Sequence, residues 1–318
     1  MADFPAAEMD RVGEEFDGRF GIYVEELNSG VRYGYCDNER FPTASVCKVT
    51  VMMELFRQAE AGQLSLDDRR RFKGDTICRG GSQFLDTTQD APELTLRDYC
   101  RLMITVSDNT ATDFLMGVLV EAVGEGAVNA MLDDMGYTQT RTPVTMGRYH
   151  YRMAGLGDDV PTCPENDELQ RKNSKAHGHD YDSLSYTDSP ENNVAAPREM
   201  ADIFKKIHHG QMLSAKSSEE MLGMLKGGRD RRMIPRYVKP EITIAHKYGS
   251  SGIIKGNVGI IYLPSGPLVV AGFALGRPGN NAELGSVAIA RVTRLSAAVF
   301  SSESLLEEDE GERGARTE

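Results

Sequence analysis

The chain has 318 residues, 40% hydrophobic and 26% charged, enough for one large globular domain or two smaller ones. A formal net charge of −12 leaves no basic footprint for nucleic acid or an anionic membrane surface. No run of about 18 apolar residues offers a membrane span. The opening Met-Ala-Asp-Phe-Pro lacks the basic and apolar regions of a secretory signal. A cytoplasmic location is therefore expected, or a secreted or periplasmic one if a leader has been removed. Cys36, Cys47, Cys78, Cys100 and Cys163 are odd in number and scattered, which suggests reduced thiols.

In chain order, Glu8 to Phe16 reads as a first helix. Gly21 to Leu27 and Val31 to Tyr35 alternate as two strands joined by a turn at Asn28-Ser29-Gly30. The middle is helical over Ser45 to Ala61, Thr95 to Val106, Asn109 to Val120, Gly126 to Met135, Pro197 to His208 and Ser217 to Leu225. Three strands follow, Ile242 to Tyr248, Asn257 to Leu263 and Leu268 to Leu275, with a turn at Pro264-Ser265-Gly266-Pro267. Val287 to Phe300 returns to helical spacing. Residues 303–318 carry seven acidic and two basic residues and are expected to be disordered.

Three short stretches carry chemistry. Ser45-Val46-Cys47-Lys48 precedes a largely apolar run, Val49 to Phe56, so both side chains fall on one helix face, one turn apart. A buried lysine that loses its proton can take one from a neighbouring hydroxyl and turn it into a nucleophile. Ser107-Asp108-Asn109 stands between two apolar helices, and Lys247-Tyr248-Gly249 ends a β-rich run followed by Ser250-Ser251-Gly252. Each has a plain alternative: a helix cap with a surface lysine, capping chemistry, and an edge-strand lysine. Their joint order is harder to attribute to those.

S-x-x-K, S-D-N and K-[T/S]-G, in that order, form the signature of class A β-lactamases and penicillin-binding proteins, and here the third reads K-Y-G. Glu39 to Ser45 resembles that family's approach to its nucleophile. Asn192 to Ala201 resembles the lead-in to its next helix. The chain thus resembles a class A β-lactamase-like or penicillin-binding-protein-like serine hydrolase over roughly residues 10–302. The resemblance implies an α/β, β-lactamase/transpeptidase-like fold. Residues 1–41 and 210–302 would form a discontinuous antiparallel-sheet domain flanked by helices. Residues 42–209 would form an all-helical domain, with the catalytic cleft between the two. It implies an acyl-enzyme on Ser45, with Lys48 as base or proton relay, Ser107 shuttling a proton to the leaving group, and Lys247 beside it. Asn109 would hold Lys48 or a substrate amide. Tyr248, Gly249 and Ser250 would line the substrate site, and the backbone N–H groups of Ser45 and Ser250 would form the oxyanion hole. Cys100 falls where many class A enzymes place one disulfide partner, but the matching position on the first helix is Met52.

The pattern departs from the family in two places. The second base of class A enzymes, a glutamate, falls near Pro143, where Arg141-Thr142-Pro143-Val144-Thr145 has no carboxylate. Glu165 and Glu168, in a polar insert around 147–190, are displaced candidates for it; the alternative is a solvated loop. Tyr248 replaces Thr or Ser, whose hydroxyl helps bind a substrate carboxylate. His177, His179, His208 and His209 lack the spacing of a metal site, so no metal or cofactor is expected. The leading expectation is a serine hydrolase of small-molecule amides or esters, a biosynthetic hydrolase or a transacylase with the insert as a lid. The alternatives are a class A β-lactamase using Glu165 or Glu168, and a non-catalytic ligand-binding relative. The sequence leaves the substrate and the oligomeric state open.

Overall fold

A computed structural model describes residues 3–72, 85 and 92–307. The chain begins with α1 (Ala6–Glu14), β1 (Gly18–Glu26), β2 (Arg32–Tyr35) and β3 (Phe41–Pro42), then a 3-10 turn (Ala44–Cys47) and α2 (Lys48–Glu60). A short pair, β4 (Arg69–Arg71) and β5 (Glu93–Thr95), precedes α3 (Leu96–Thr105), α4 (Asn109–Val123) and α5 (Ala127–Asp134). Next come α6 (Met146–Met153), α7 (Pro164–His177), β6 (Val194–Ala195), α8 (Pro197–His208) and α9 (Ala215–Leu225). The last elements are β7 (Ile244–Ser251), β8 (Ile254–Leu263), β9 (Gly266–Gly276) and α10 (Glu283–Phe300).

Five strands form one antiparallel sheet in the order β2-β1-β9-β8-β7. The two ends of the chain meet where β1 pairs with β9, Ile22 lying opposite Gly272. Period-two alternation sends the side chains to two cores. Ile22, Val24, Leu268 and Val270 pack with Ile289 and Val292 of α10, whereas Tyr23, Val269, Ala271 and Phe273 face the helices of the middle segment. A Cβ on Gly272 would come within 3.0 Å of Ile289 Cγ2, so the glycine lets α10 approach the sheet. In α2 every residue from Lys48 to Phe56 is buried, as expected of a helix enclosed on all sides.

Three differences from the sequence expectations matter. The helix expected from Ser45 starts as a 3-10 turn, and α2 proper begins at Lys48. The polar insert is not a featureless loop. It contains α6 and α7; α7 is strongly polar with no apolar stripe, whereas α6 buries Met146, Tyr149 and Met153 on one face of a helix only eight residues long. The disorder expected from residue 303 does not begin there. Leu306 is buried in the α10 core, Lys239 N–H donates to the Leu305 carbonyl, and Glu307 N–H donates to that of Tyr237. Among the described residues, no single helix is long and apolar enough to cross a membrane.

Candidate active site

Ser45 sits in the turn between β3 and α2, partly accessible among buried neighbours. Ala44 before it has φ 43°, a left-handed conformation that costs a non-glycine residue about 1–3 kcal/mol. β3 and β6 hold this turn from outside. Phe41 pairs with Ala195, Thr43 N–H donates to the Asn193 carbonyl at 2.9 Å, and the Asn193 side chain bonds both the N–H and the carbonyl of Val144. The two stretches flanking the serine hydrolase motifs, at Glu39 to Ser45 and Asn192 to Ala201, are therefore hydrogen-bonded to each other.

β7 closes the turn from inside. A Cβ on Gly249 would lie 2.4 Å from the Thr43 carbonyl oxygen and 2.9 Å from Ser45 N, so only glycine lets the strand pass this close. That contact brings the Ser45 amide against the strand segment leading to Ser250. Lys255, on β8 opposite Ser250, donates to Ser250 Oγ at 2.8 Å and lies 3.7 Å from Glu283.

The three motifs converge on Ser107. Lys48 Nζ donates to the Ser107 carbonyl (2.7 Å), Ser107 Oγ (3.1 Å) and Asn109 Oδ1 (2.6 Å). Lys247 Nζ donates to the same Oγ (3.0 Å) and to the Tyr248 carbonyl (2.8 Å). Ser107 holds this position with φ 60°. Asp108 fixes the corner by capping α4, its Oδ1 accepting Ala111 N–H at 2.8 Å. With two lysine amines donating to one hydroxyl oxygen, both of its lone pairs are occupied and its proton is free to be donated elsewhere.

Both lysines are buried. Burial pushes Lys48 down to about 8, partly offset by the Cys47, Asp108 and Asp113 side chains. Lys247 is held well below the ordinary lysine value by burial and by the neighbouring Lys48 charge. A neutral amine at Lys48 is thus accessible near neutral pH, and such an amine accepts protons. Cys47, two residues after Ser45 in the same turn, is pushed up to about 11 by burial, and its thiol donates to the Ala44 carbonyl, so it is not a rival nucleophile.

Tyr248 lies beside Lys247 on β7. Its ring packs into the α10 core, with the Arg232 guanidinium 5.9 Å and Lys247 Nζ 4.4 Å from its centroid. Glu165 and Glu168 lie on the exposed side of α7, and Glu168 pairs with Lys172 at 2.8 Å. The buried acid of α7 is instead Asp167, which accepts from Tyr151 Oη at 3.0 Å. This exposure and pairing argue against either glutamate as the hidden base.

One residue and one helix, neither carrying a motif, shape the floor of the site. Asp113, one turn into α4, accepts the N–H groups of Met146 and Gly147 (2.6 and 2.7 Å) and anchors the start of α6. Burial raises its carboxyl to about 7, against the opposing effect of those two N–H groups. From there α6 runs across the Ser45 turn, Met146, Tyr149 and Met153 packing with Ala44 and Cys47. An acid directly before the apolar run Phe114 to Val120 was the available sequence signal for Asp113; the chain offers none for the path of α6. Among the described residues, Cys36, Cys47, Cys100 and Cys163 are free thiols; Cys78 lies outside them. Among the same residues, no group of three or more His, Cys, Asp and Glu side chains is placed to hold a metal ion.

The chain is similar to known proteins. β-Lactamase L2 of Stenotrophomonas maltophilia is 34% identical over 125 residues, 39% of this chain and 40% of that protein's length. A β-lactamase of Streptomyces fradiae is 24% identical over 286 residues, covering 88% of this chain and 81% of the relative. The crystal structure of a β-lactamase from Sphaerobacter thermophilus superposes with a TM-score of 0.71 at 27% identity, covering 92% of this chain and 96% of the other. The model of the β-lactamase enzyme family matches residues 5–300, and the chain belongs to that family.

Proposed function

We propose that this protein is a serine acyl hydrolase that cleaves a small-molecule amide or ester through an acyl-enzyme on Ser45. One observation supports this above the others: Ser107 Oγ lies 3.1 Å from Lys48 Nζ and 3.0 Å from Lys247 Nζ. In the acylation step the neutral Lys48 amine takes the Ser45 hydroxyl proton as Oγ bonds to the substrate carbonyl carbon. The developing oxyanion is received by the N–H groups of Ser45 and Ser250. Ser107 gives its proton to the leaving nitrogen or oxygen as that bond breaks, and is reprotonated from Lys48. Lys247 lowers the cost of negative charge on Ser107 Oγ during the transfer. Asn109 Oδ1 orients the Lys48 amine. Tyr248, Gly249 and Ser250 form the strand along which substrate lies.

The names of the relatives make a β-lactam one substrate class to test. A biosynthetic ester or amide is the other, with water or an amine as acyl acceptor. The insert supports a shielded acyl-enzyme: Ser251 Oγ meets Met153 Sδ at 3.2 Å, and Tyr186 and His179 stand over Gly252, walling the β7 end of the cleft. The test is consumption of an aryl ester, an anilide and a penicillin by wild type and Ser45→Ala. Ser45-dependent turnover of any of these supports the reading and identifies the class. Intact reagents, with no acyl adduct on wild type, would instead favour a ligand-binding relative.

A further inference from the structure

The proposed acyl-enzyme must be hydrolysed, and neither Glu165 nor Glu168 is placed to help. What the fold brings to the Ser45 turn is α6. Met146, Tyr149 and Met153 of this helix pack against Ala44 and Cys47. Positions 146, 149, 150 and 153 share one face of an α-helix, so His150 lies on the side of α6 that packs against Ala44 and Cys47, in the turn that carries Ser45. Both ends of the helix are pinned, its start by Asp113 and its end by the contact of Met153 with Ser251. His150 is half-buried and is within electrostatic reach of Lys48 and of His179. His179 is held in turn at the rim, its Nδ1 2.6 Å from Tyr186 Oη, above Gly252.

On this geometry, and resting on the proposed acyl-Ser45 reading, we propose that His150 is the general base that activates the deacylating water. Burial and the nearby Lys48 and His179 charges push the imidazole down to about 4, so it is neutral at physiological pH with a lone pair available. The Met146 carbonyl favours a proton on one ring nitrogen, leaving the other to accept. A water molecule gives its proton to that nitrogen as its oxygen bonds to the acyl carbon. The imidazolium passes that proton to the neutral Lys48 amine, which delivers it to Oγ as the C–Oγ bond of Ser45 breaks, so the released acid and the free serine balance the water consumed. No carboxylate is needed in the 141–145 segment.

The experiment is pre-steady-state turnover of an aryl ester by wild type, His150→Gln and His150→Asn, with the acyl adduct followed by intact mass. Expected are an undiminished burst on Ser45, deacylation slowed by about 10²-fold in both variants, and partial recovery on adding free imidazole. A purely structural role for His150 would reduce the burst and would not be rescued by imidazole. Deacylation at the wild-type rate in either variant would overturn the proposal while leaving the Ser45 reading intact. Absence of a Ser45 adduct in the wild type would overturn the Ser45 reading and this inference with it. If neither variant folds, the solvent deuterium isotope effect on wild-type deacylation decides: a normal effect supports a base-activated water, and none overturns it.

Discussion

Replacing Gly249 by alanine tests whether the close passage of β7 aligns the nucleophile. The added Cβ would stand 2.4 Å from the Thr43 carbonyl oxygen, 2.9 Å from Ser45 N and 3.0 Å from Val46 N. All three are backbone atoms, so no side chain can swing aside, and strand and turn must separate. Overpacking of this kind costs about 1–3 kcal/mol of stability. Separation also displaces the Ser45 N–H from the proposed oxyanion position, and loss of one such donor lowers the rate by about 10²–10³-fold. Gly272→Ala is the control. Its Cβ would meet Ile289 side-chain atoms at 3.0 and 3.1 Å, on the face of the sheet away from the site. Both variants should unfold at lower denaturant, whereas only Gly249→Ala should slow single-turnover acylation by an aryl ester. Wild-type acylation in Gly249→Ala, or an equal slowing in Gly272→Ala, would refute the reasoning.

Other outcomes follow from the same geometry. Ser107→Ala should slow anilide cleavage by about 10²–10⁴-fold and aryl ester cleavage much less, because a phenolate leaves without a proton; single-turnover rates on the two substrates check this. With Lys48 near 8 in the folded chain, acylation should rise with pH and level off above that value, as a stopped-flow pH profile would record. Between about pH 8 and the ordinary lysine value of 10.5 the unfolded chain binds the additional proton. The stability contribution of Lys48 therefore rises with pH across that window and is smallest below it, readable by urea unfolding against pH. Asp113→Asn leaves one of the Met146 and Gly147 N–H groups without an acceptor and should cost about 1–3 kcal/mol in the same unfolding assay.

The parts of this site that lie close in sequence were legible before the structure. Ser45 and Lys48 are one turn apart, Ser107 and Asn109 flank a helix cap, and Lys247 ends an alternating strand, so local periodicity locates each. Their meeting at Ser107 Oγ depends on the β1–β9 pairing of the two chain ends, which no local pattern encodes. α7 was missed because its fourteen residues, Pro164–His177, carry charge on most sides. The same polar character makes its glutamates stand out in the sequence. The two candidate acids, Glu165 and Glu168, are solvent-facing, with Glu168 in an i,i+4 pair with Lys172. Asp113 and His150 carry no motif at all. They matter only because α4 and α6 cross beside the Ser45 turn, a consequence of tertiary packing.

The most direct test of the account is to locate the acyl group by peptide mapping after acid quench of wild type, Ser45→Ala and Lys48→Met treated with an aryl ester. The account predicts a single acylated peptide containing Ser45 in the wild type, none in Ser45→Ala, and much slower labelling in Lys48→Met. Equal labelling of Ser45→Ala, or label confined to an exposed residue such as Cys36, would contradict it.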